Sequence, residues 1–282
     1  MVIREYQPKK ALNSDFSNKY LNKNIQEIPT MNRQKILITG MSGLIGGIVG
    51  RHLDSLGYEI RALNRSQVEG FDTVKADITD PDAIGPAFEG IDTVIHLAAY
   101  LGDDELAQID INITGTYNIF EAAKNAGVKR VIFGSSGATM MAAERHEPFK
   151  TMVEGRIEDI SDPRPMMNHL TPPHPDRMYG VAKIAGEAMA RLFAEHHGSA
   201  IVARIGRVRK EDQPANIREA SVHFSHRDVA QFFEKCVKAP DNINWDVFYG
   251  VSDNFTRFRD IDHPKKMIGY TPQDGIRHWP AK

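Results

Sequence analysis

Tyr179 and Lys183 stand four residues apart in Tyr179-Gly180-Val181-Ala182-Lys183, so on a helix they project from one face and can enter one cleft. A phenol with an ordinary pKa of about 10 is a poor base at neutral pH, and a nearby ammonium favours the phenolate. Lys183 is expected to supply that charge. By itself the pair is equally an aromatic-aliphatic contact on a solvated helix face. Ser135-Ser136 follows the apolar run Val131-Ile132-Phe133. At the carboxyl end of a parallel strand a serine hydroxyl can hydrogen-bond a substrate oxygen, although a lone Ser pair there also reads as a turn or a helix cap.

A third group is made of backbone. Thr39-Gly40-Met41-Ser42-Gly43-Leu44-Ile45-Gly46 lies directly between the first apolar run and the first helical stretch. Gly40 suits a tight turn, Gly43 removes a side chain where a pyrophosphate must approach, and Gly46 lets the helix press onto the strand. The helix N-terminus then offers free N–H groups and a positive dipole end to phosphates. A glycine-rich turn without a ligand has the same composition, but the strand before it and the helix after it point to dinucleotide binding.

The elements that must position these groups are legible as short apolar runs alternating with helical stretches, the pattern of a parallel sheet with helical crossovers. Strands are expected at Lys35–Thr39, Glu59–Leu63, Thr73–Ala76, Thr93–Leu97, Arg130–Phe133 and Ala200–Arg204. Helices are expected at Ile45–Leu56, Ala107–Ala126 and Tyr179–His196. The fold class is α/β, a Rossmann-type doubly wound parallel sheet with a small C-terminal substrate-binding lobe. The 282 residues carry a formal charge of −2, with no basic excess to suggest nucleic acid or an anionic membrane surface. Cys236 is the only cysteine, so no internal disulfide forms, and no apolar run reaches the roughly 20 residues that span a bilayer. A cytoplasmic setting is expected. Residues 1–30, rich in Asn and Lys and without apolar periodicity, are expected to be an extension to a single main unit over 31–282. They lack the features of a signal or transit peptide.

Taken together, the glycine turn, the strand-end Ser136 and Tyr179-x-x-x-Lys183, in this order, resemble the extended short-chain dehydrogenase/reductases, over roughly Lys35 to Trp279. Ala76-Asp77-Ile78 is similar to the family's adenine-contacting turn, and His96-Leu97-Ala98-Ala99 to the strand end beneath the cofactor riboses. Asn112-Ile113-Thr114-Gly115-Thr116 is similar to the start of its long central helix. The resemblance implies a nicotinamide cofactor held by Gly40, Ser42, Gly43, Leu44, Ile45, Gly46, Asn64, Arg65, Ser66, Asp77, Ile78, Leu97, Ala98, Ala99, Asn112, Tyr179, Lys183 and Ile205. It also implies catalysis by Ser136, Tyr179 and Lys183, with Lys183 hydrogen-bonding the nicotinamide ribose. Within the family the late segments Ala203-Arg204-Ile205-Gly206, Phe224-Ser225-His226-Arg227-Asp228, Tyr249-Gly250-Val251-Ser252-Asp253-Asn254 and Ile268-Gly269-Tyr270-Thr271-Pro272 most resemble uronate dehydrogenases and related sugar dehydrogenases.

Two features bear on the ligands. NAD-specific relatives end the second strand with an acid against the ribose 2′-hydroxyl, whereas Asn64, Arg65 and Ser66 stand here. Asn64 repels no phosphate and Arg65 can pair with one, so NADP is expected ahead of NAD. Uronate dehydrogenases follow the strand-end serines with Asn and His, where this chain has Gly137 and Ala138. The expected substrate is a small anionic sugar, a sugar acid or sugar phosphate, bound by Ser136, Gly137, Arg207 and Arg218 with help from elements at about 139–176 and 205–282. For Arg218 the expectation comes from the resemblance, in which a similarly placed arginine binds carboxylate. The His and Met residues between Thr139 and Asp176 show no regular ligand spacing, so no metal site is expected. A homo-oligomer is expected. Two other activities use the same residues: a sugar epimerase or dehydratase that employs the cofactor transiently, and a regulator that binds the dinucleotide without turnover.

Overall fold

The computed structural model describes residues 33–279; the expected N-terminal extension lies outside the described residues. Seven parallel strands form one sheet: β1 Lys35–Thr39, β2 Glu59–Asn64, β3 Asp72–Lys75, β4 Thr93–His96, β5 Arg130–Ser136, β6 Ser199–Ile205 and β7 Trp245–Gly250. Their order is β3-β2-β1-β4-β5-β6-β7. The order reverses between β1 and β4, where Thr39 pairs with His96, so the segments leaving these two strands diverge and open a crevice at their carboxyl ends.

Side chains alternate faces along each strand, which explains the near-continuous apolar runs of a sheet covered on both sides. Ile36 and Ile38 join a core with Val49, Leu53 and Phe232, while Leu37 joins the opposite core with Val94, Ile119 and Val131. Three helices bear on the site: α1 Leu44–Ser55, α2 Gly115–Asn125 and α3 Met178–His196. Removing a fully buried Leu37 side chain to Ala costs about 2–5 kcal/mol.

The six expected strands are present, β1 with the expected bounds and the other five with an end shifted by one to three residues. The sequence did not announce β7, because Asp246 interrupts its apolar run; Asp246 is nevertheless buried, accepting from His263 Nε2 at 2.8 Å. The expected helix over Ala107–Ala126 is interrupted. A turn at Glu105–Ala107 leads into a π-helical segment, Gln108–Thr114, before α2 begins. The stretch after Ser136 is anchored rather than loose: Met140, Met152 and Met167 are buried with Val222, Tyr249 and Phe258 in a third apolar cluster. No helix among the described residues is long and apolar enough to cross a membrane.

Candidate active site and its relatives

The turn after β1 is shaped by close approach. Gly40 has φ +69°, and a β-carbon on it would lie 2.7 Å from the backbone N and Cα of Ala98. Only glycine meets both demands. Gly43 precedes α1 without a side-chain cap, and no acidic residue occupies the first turn, so the leading N–H groups are left to an anion. Ser42, Gly43 and Leu44 line an open pocket with Gly47, Arg51, Gln67 and Glu69. This cradle of glycines and uncapped amides fits a dinucleotide. Ile45 and Gly46 continue the first turn of α1, and Ile205 closes β6.

At the end of β2 the amide of Asn64 is engaged at both ends. Its Oδ1 accepts from the Ser42 hydroxyl at 3.1 Å, and its Nδ2 donates to the Ser66 carbonyl at 3.0 Å and hydroxyl at 3.2 Å. Asn64 thus stitches the glycine turn to the segment after β2. Arg65 is exposed and does not line the pocket, whereas Arg51, on α1, does. Arg51 could not be singled out from sequence, because nothing in a helical period says which surface arginine bends back toward the helix start.

Beside this turn, Thr39 Oγ1 accepts from the backbone N–H groups of Leu97 and Ala98 at 3.1 and 3.0 Å and lies 2.7 Å from His96 Nδ1. His96 Nε2 reaches Thr116 Oγ1 at 3.0 Å. Burial, with the Lys183 ammonium adding to it, pushes the His96 pKa down to about 3, so the ring is neutral and works as a hydrogen-bond bridge from β1 to α2. Asn112 is buried in the π-helical segment, accepting from the Tyr100 N–H at 2.7 Å and donating to its carbonyl at 2.8 Å, which fixes the chain just past Ala99. Asp77 holds its own turn through Thr79, and Ile78 is buried.

The adjacent serines at the end of β5 part company. Ser135 turns inward and donates to Glu187 at 2.6 Å. Ser136 faces the Tyr179 phenol, and its hydroxyl also accepts from the Ala138 N–H at 3.1 Å. Tyr179 is in the first turn of α3, which approaches β5 closely because Gly180 has no side chain: a β-carbon there would be 2.5 Å from the Ala138 carbonyl oxygen. One turn further, Lys183 is 3% exposed, its Nζ 5.7 Å from the Tyr179 ring centre. Ser136, Tyr179 and Lys183 are therefore brought together.

Burial is the largest electrostatic influence on both Tyr179 and Lys183. Burial raises the Tyr179 pKa, and the Ser136 hydroxyl and the Arg177 guanidinium oppose that rise. Lys183 is itself lowered to about 8 by burial, with Glu187 opposing. Glu187 stands one turn beyond Lys183 and is held by Arg204 at 2.9 and 2.8 Å, while Arg204 also donates to the Tyr249 hydroxyl at 3.0 Å. A charged residue inside the apolar β6 run and an acid four after Lys183 were the signals for this buried pair.

The arginines expected to meet substrate are already paired within the chain. Arg207, half-exposed, donates to Glu219, which also serves Arg209. Arg218 holds Glu144 through Nε at 2.8 Å and Nη2 at 3.0 Å. Gly137 opens a helical stretch directly after Ser136. Among the described residues no three His, Cys, Asp or Glu side chains gather around one point.

The chain is similar to known proteins in sequence and in fold. Residues 36–209 match the model of the NAD dependent epimerase/dehydratase family. The chain is 31% identical over 257 residues to an NAD-dependent glucose-6-phosphate dehydrogenase of Haloferax volcanii, covering 86% of this chain and 94% of that one. It is 30% identical to an L-arabinose 1-dehydrogenase (NAD(P)(+)) of the same organism, covering 85% and 96%. Among solved structures, uronate dehydrogenase from Agrobacterium tumefaciens complexed with NAD superposes with a TM-score of 0.71 at 26% identity, covering 86% of each chain. The chain belongs to the NAD dependent epimerase/dehydratase family, the extended short-chain dehydrogenase/reductases.

Proposed function

We propose that the protein is an NAD(P)-dependent sugar dehydrogenase that oxidises a hydroxyl of a small anionic sugar, with Tyr179 as general base. The observation that carries this is the meeting of Ser136, Tyr179 and buried Lys183 at the carboxyl edge of the sheet, beside a glycine turn with uncapped amides. Supporting it, relatives that align over most of this chain and of their own length are named as dehydrogenases of glucose 6-phosphate and L-arabinose.

Bound through Gly40, Ser42, Gly43, Leu44 and Gly46, the nicotinamide cofactor supplies the hydride acceptor. The chain's own residues handle the proton. Ser136 orients the substrate hydroxyl, and the Tyr179 phenolate removes its proton. Arg177 supports the phenolate from the start of α3. Lys183, charged below a pH of about 8, adds positive charge beside the tyrosine and, as the family resemblance implies, would hydrogen-bond the nicotinamide ribose of a bound cofactor. NADP is the favoured cofactor, because no acid ends β2 and Arg51 and Arg65 offer cations near its end. Residues 31–282 act as one unit, with substrate elements at about 139–176 and 205–282. The enzyme works in the cytoplasm as a homo-oligomer, for which exposed Leu101, Leu106 and Ile109 offer apolar surface.

A screen of sugars, sugar acids and sugar phosphates with NAD and NADP tests the proposal. Stoichiometric cofactor reduction by one anionic sugar is the expected result. Tight cofactor binding without reduction by any sugar would overturn it in favour of a non-catalytic regulator.

A further inference from the structure

The interior on the substrate side holds more positive than negative charge, and the excess has an address. Arg204 is matched by Glu187, and outside, Arg207 and Arg209 are matched by Glu219 and Glu211. Around the buried carboxylate of Glu144 two arginines converge: Arg218 with its two hydrogen bonds, and Arg259, whose Nη2 approaches at 3.3 Å. One carboxylate against two guanidiniums leaves a positive charge without a counter-charge. Arg259 is 2% exposed and packed against the rings of Phe258 and Tyr249. Its Nε is buried without a hydrogen-bond partner. Sharing one buried carboxylate between two guanidiniums leaves the second cation without a counter-charge of its own, which is expensive in an interior, so an anion is the missing partner.

The location of the guanidinium says where that anion sits. A β-carbon on Gly137 would lie 2.0 Å from Arg259 Nη1 and 2.2 Å from Nη2, so the guanidinium fills the slot that any side chain at position 137 would enter. Gly137 directly follows Ser136, and its carbonyl oxygen is 3.4 Å from Arg259 Nη2. Arg218, a third exposed, stands across Glu144 from this slot. We propose that Arg259 adds a second guanidinium to the anion site already expected at Arg218, so that the pair holds the oxyanion group of the sugar, phosphate or carboxylate, and that position 137 is glycine to admit the Arg259 guanidinium. The inference rests on the placing of substrate at Ser136 and names the residue, unassigned from sequence, that selects a charged sugar.

The test is a double-mutant cycle of Arg259→Met and Gly137→Ala, read as the ratio of kcat/KM for glucose 6-phosphate over glucose and for glucuronate over glucose. Loss of charge-assisted hydrogen bonds should lower the better of these ratios by about 10- to 100-fold in either single variant. Because Gly137→Ala acts by displacing the guanidinium, it should add less than about twofold in the Arg259→Met background. Calorimetry with inorganic phosphate on the cofactor-saturated protein reads the subsite without turnover, with binding expected in the wild type and lost in each variant. Arg259→Lys should restore part of it. Multiplicative effects of the two substitutions, unchanged ratios, or equal phosphate binding in all three proteins would overturn the inference. Should Arg259→Met fail to fold, Gly137→Ala alone decides. A wild type that reduces cofactor but favours neutral sugars contradicts only this subsite, whereas one that reduces cofactor with no sugar contradicts the dehydrogenase proposal and leaves the phosphate measurement to decide the subsite.

Discussion

The proposed cofactor side and the proposed substrate side of the crevice are built by different means. Around β1 and α1 the work is done by backbone: a glycine at φ +69°, uncapped amides and a threonine hydroxyl tying two strand ends together. Beyond Ser136 it is done by long side chains, with Arg204–Glu187 and Arg218–Glu144–Arg259 crossing between segments 17 to 115 residues apart in sequence. A backbone-built site is specified by local glycines and is tolerant of its neighbours, whereas an ion-pair-built site depends on every partner being present.

The sharpest way to separate the two sides is to disable the chemistry at their junction. Tyr179→Phe removes one hydroxyl and little packing, so kcat should fall by about 10²- to 10⁴-fold while the cofactor dissociation constant, measured by calorimetry, stays within a few-fold. More than a tenth of wild-type turnover would remove Tyr179 from its role. The pH profile of the residual group adds direction. Since burial raises the Tyr179 pKa and Arg177 lowers it, activity in the oxidative direction should climb toward alkaline pH, and Arg177→Ala should shift that limb upward.

Breaking the ion-pair side should cost stability as well as activity. Glu187→Ala strands the buried Arg204 and removes the acceptor of Ser135, which should destabilise the fold by about 3–5 kcal/mol in denaturant melts. A loss below about 1 kcal/mol would show that the pair is solvated in solution.

His96 probes the backbone-built side through acid. Its folded pKa is depressed to about 3, while the unfolded imidazole titrates near the ordinary histidine value of about 6.5. Between those values the unfolded chain binds the extra proton, so stability is lost as pH falls through 6.5 toward 3, by up to about 1.4 kcal/mol per pH unit. Replacing His96 with Asn, which lowers stability overall by losing the bridge to Thr116, should flatten that acid slope by up to one proton. An unchanged slope would mean the ring is charged when folded.

How much of each side is legible in sequence follows from the same contrast. The glycine turn, Ser136 and the Tyr179–Lys183 spacing were visible because strand ends and helix turns fix where such residues point. β7 was hidden by Asp246, whose partner His263 is 17 residues away. Arg259 carried no signal, since its meaning depends on a missing β-carbon at position 137, 122 residues earlier. Burial, the first influence on both Tyr179 and Lys183, was not legible, because spacing says that two groups share a face but not how much water is left between them and bulk solvent.

The smallest effect expected concerns cofactor choice. Arg51 lines the pocket beside Ser42 and Gly43 while Arg65 is exposed, so Arg51→Ala should reduce the NADP-over-NAD preference in kcat/KM by about tenfold, the loss of one charge-assisted contact, and Arg65→Ala by less. The reverse ranking would return the 2′-phosphate to the end of β2.

The most direct measurement follows the hydrogen itself. A sugar deuterated at the oxidised carbon, given to the enzyme with one equivalent of oxidised cofactor, should deliver its deuterium to the nicotinamide ring in step with the appearance of an oxidised sugar. Deuterium that returns to the sugar carbon, with no net reduced cofactor, would contradict dehydrogenation and establish a transient use of the cofactor.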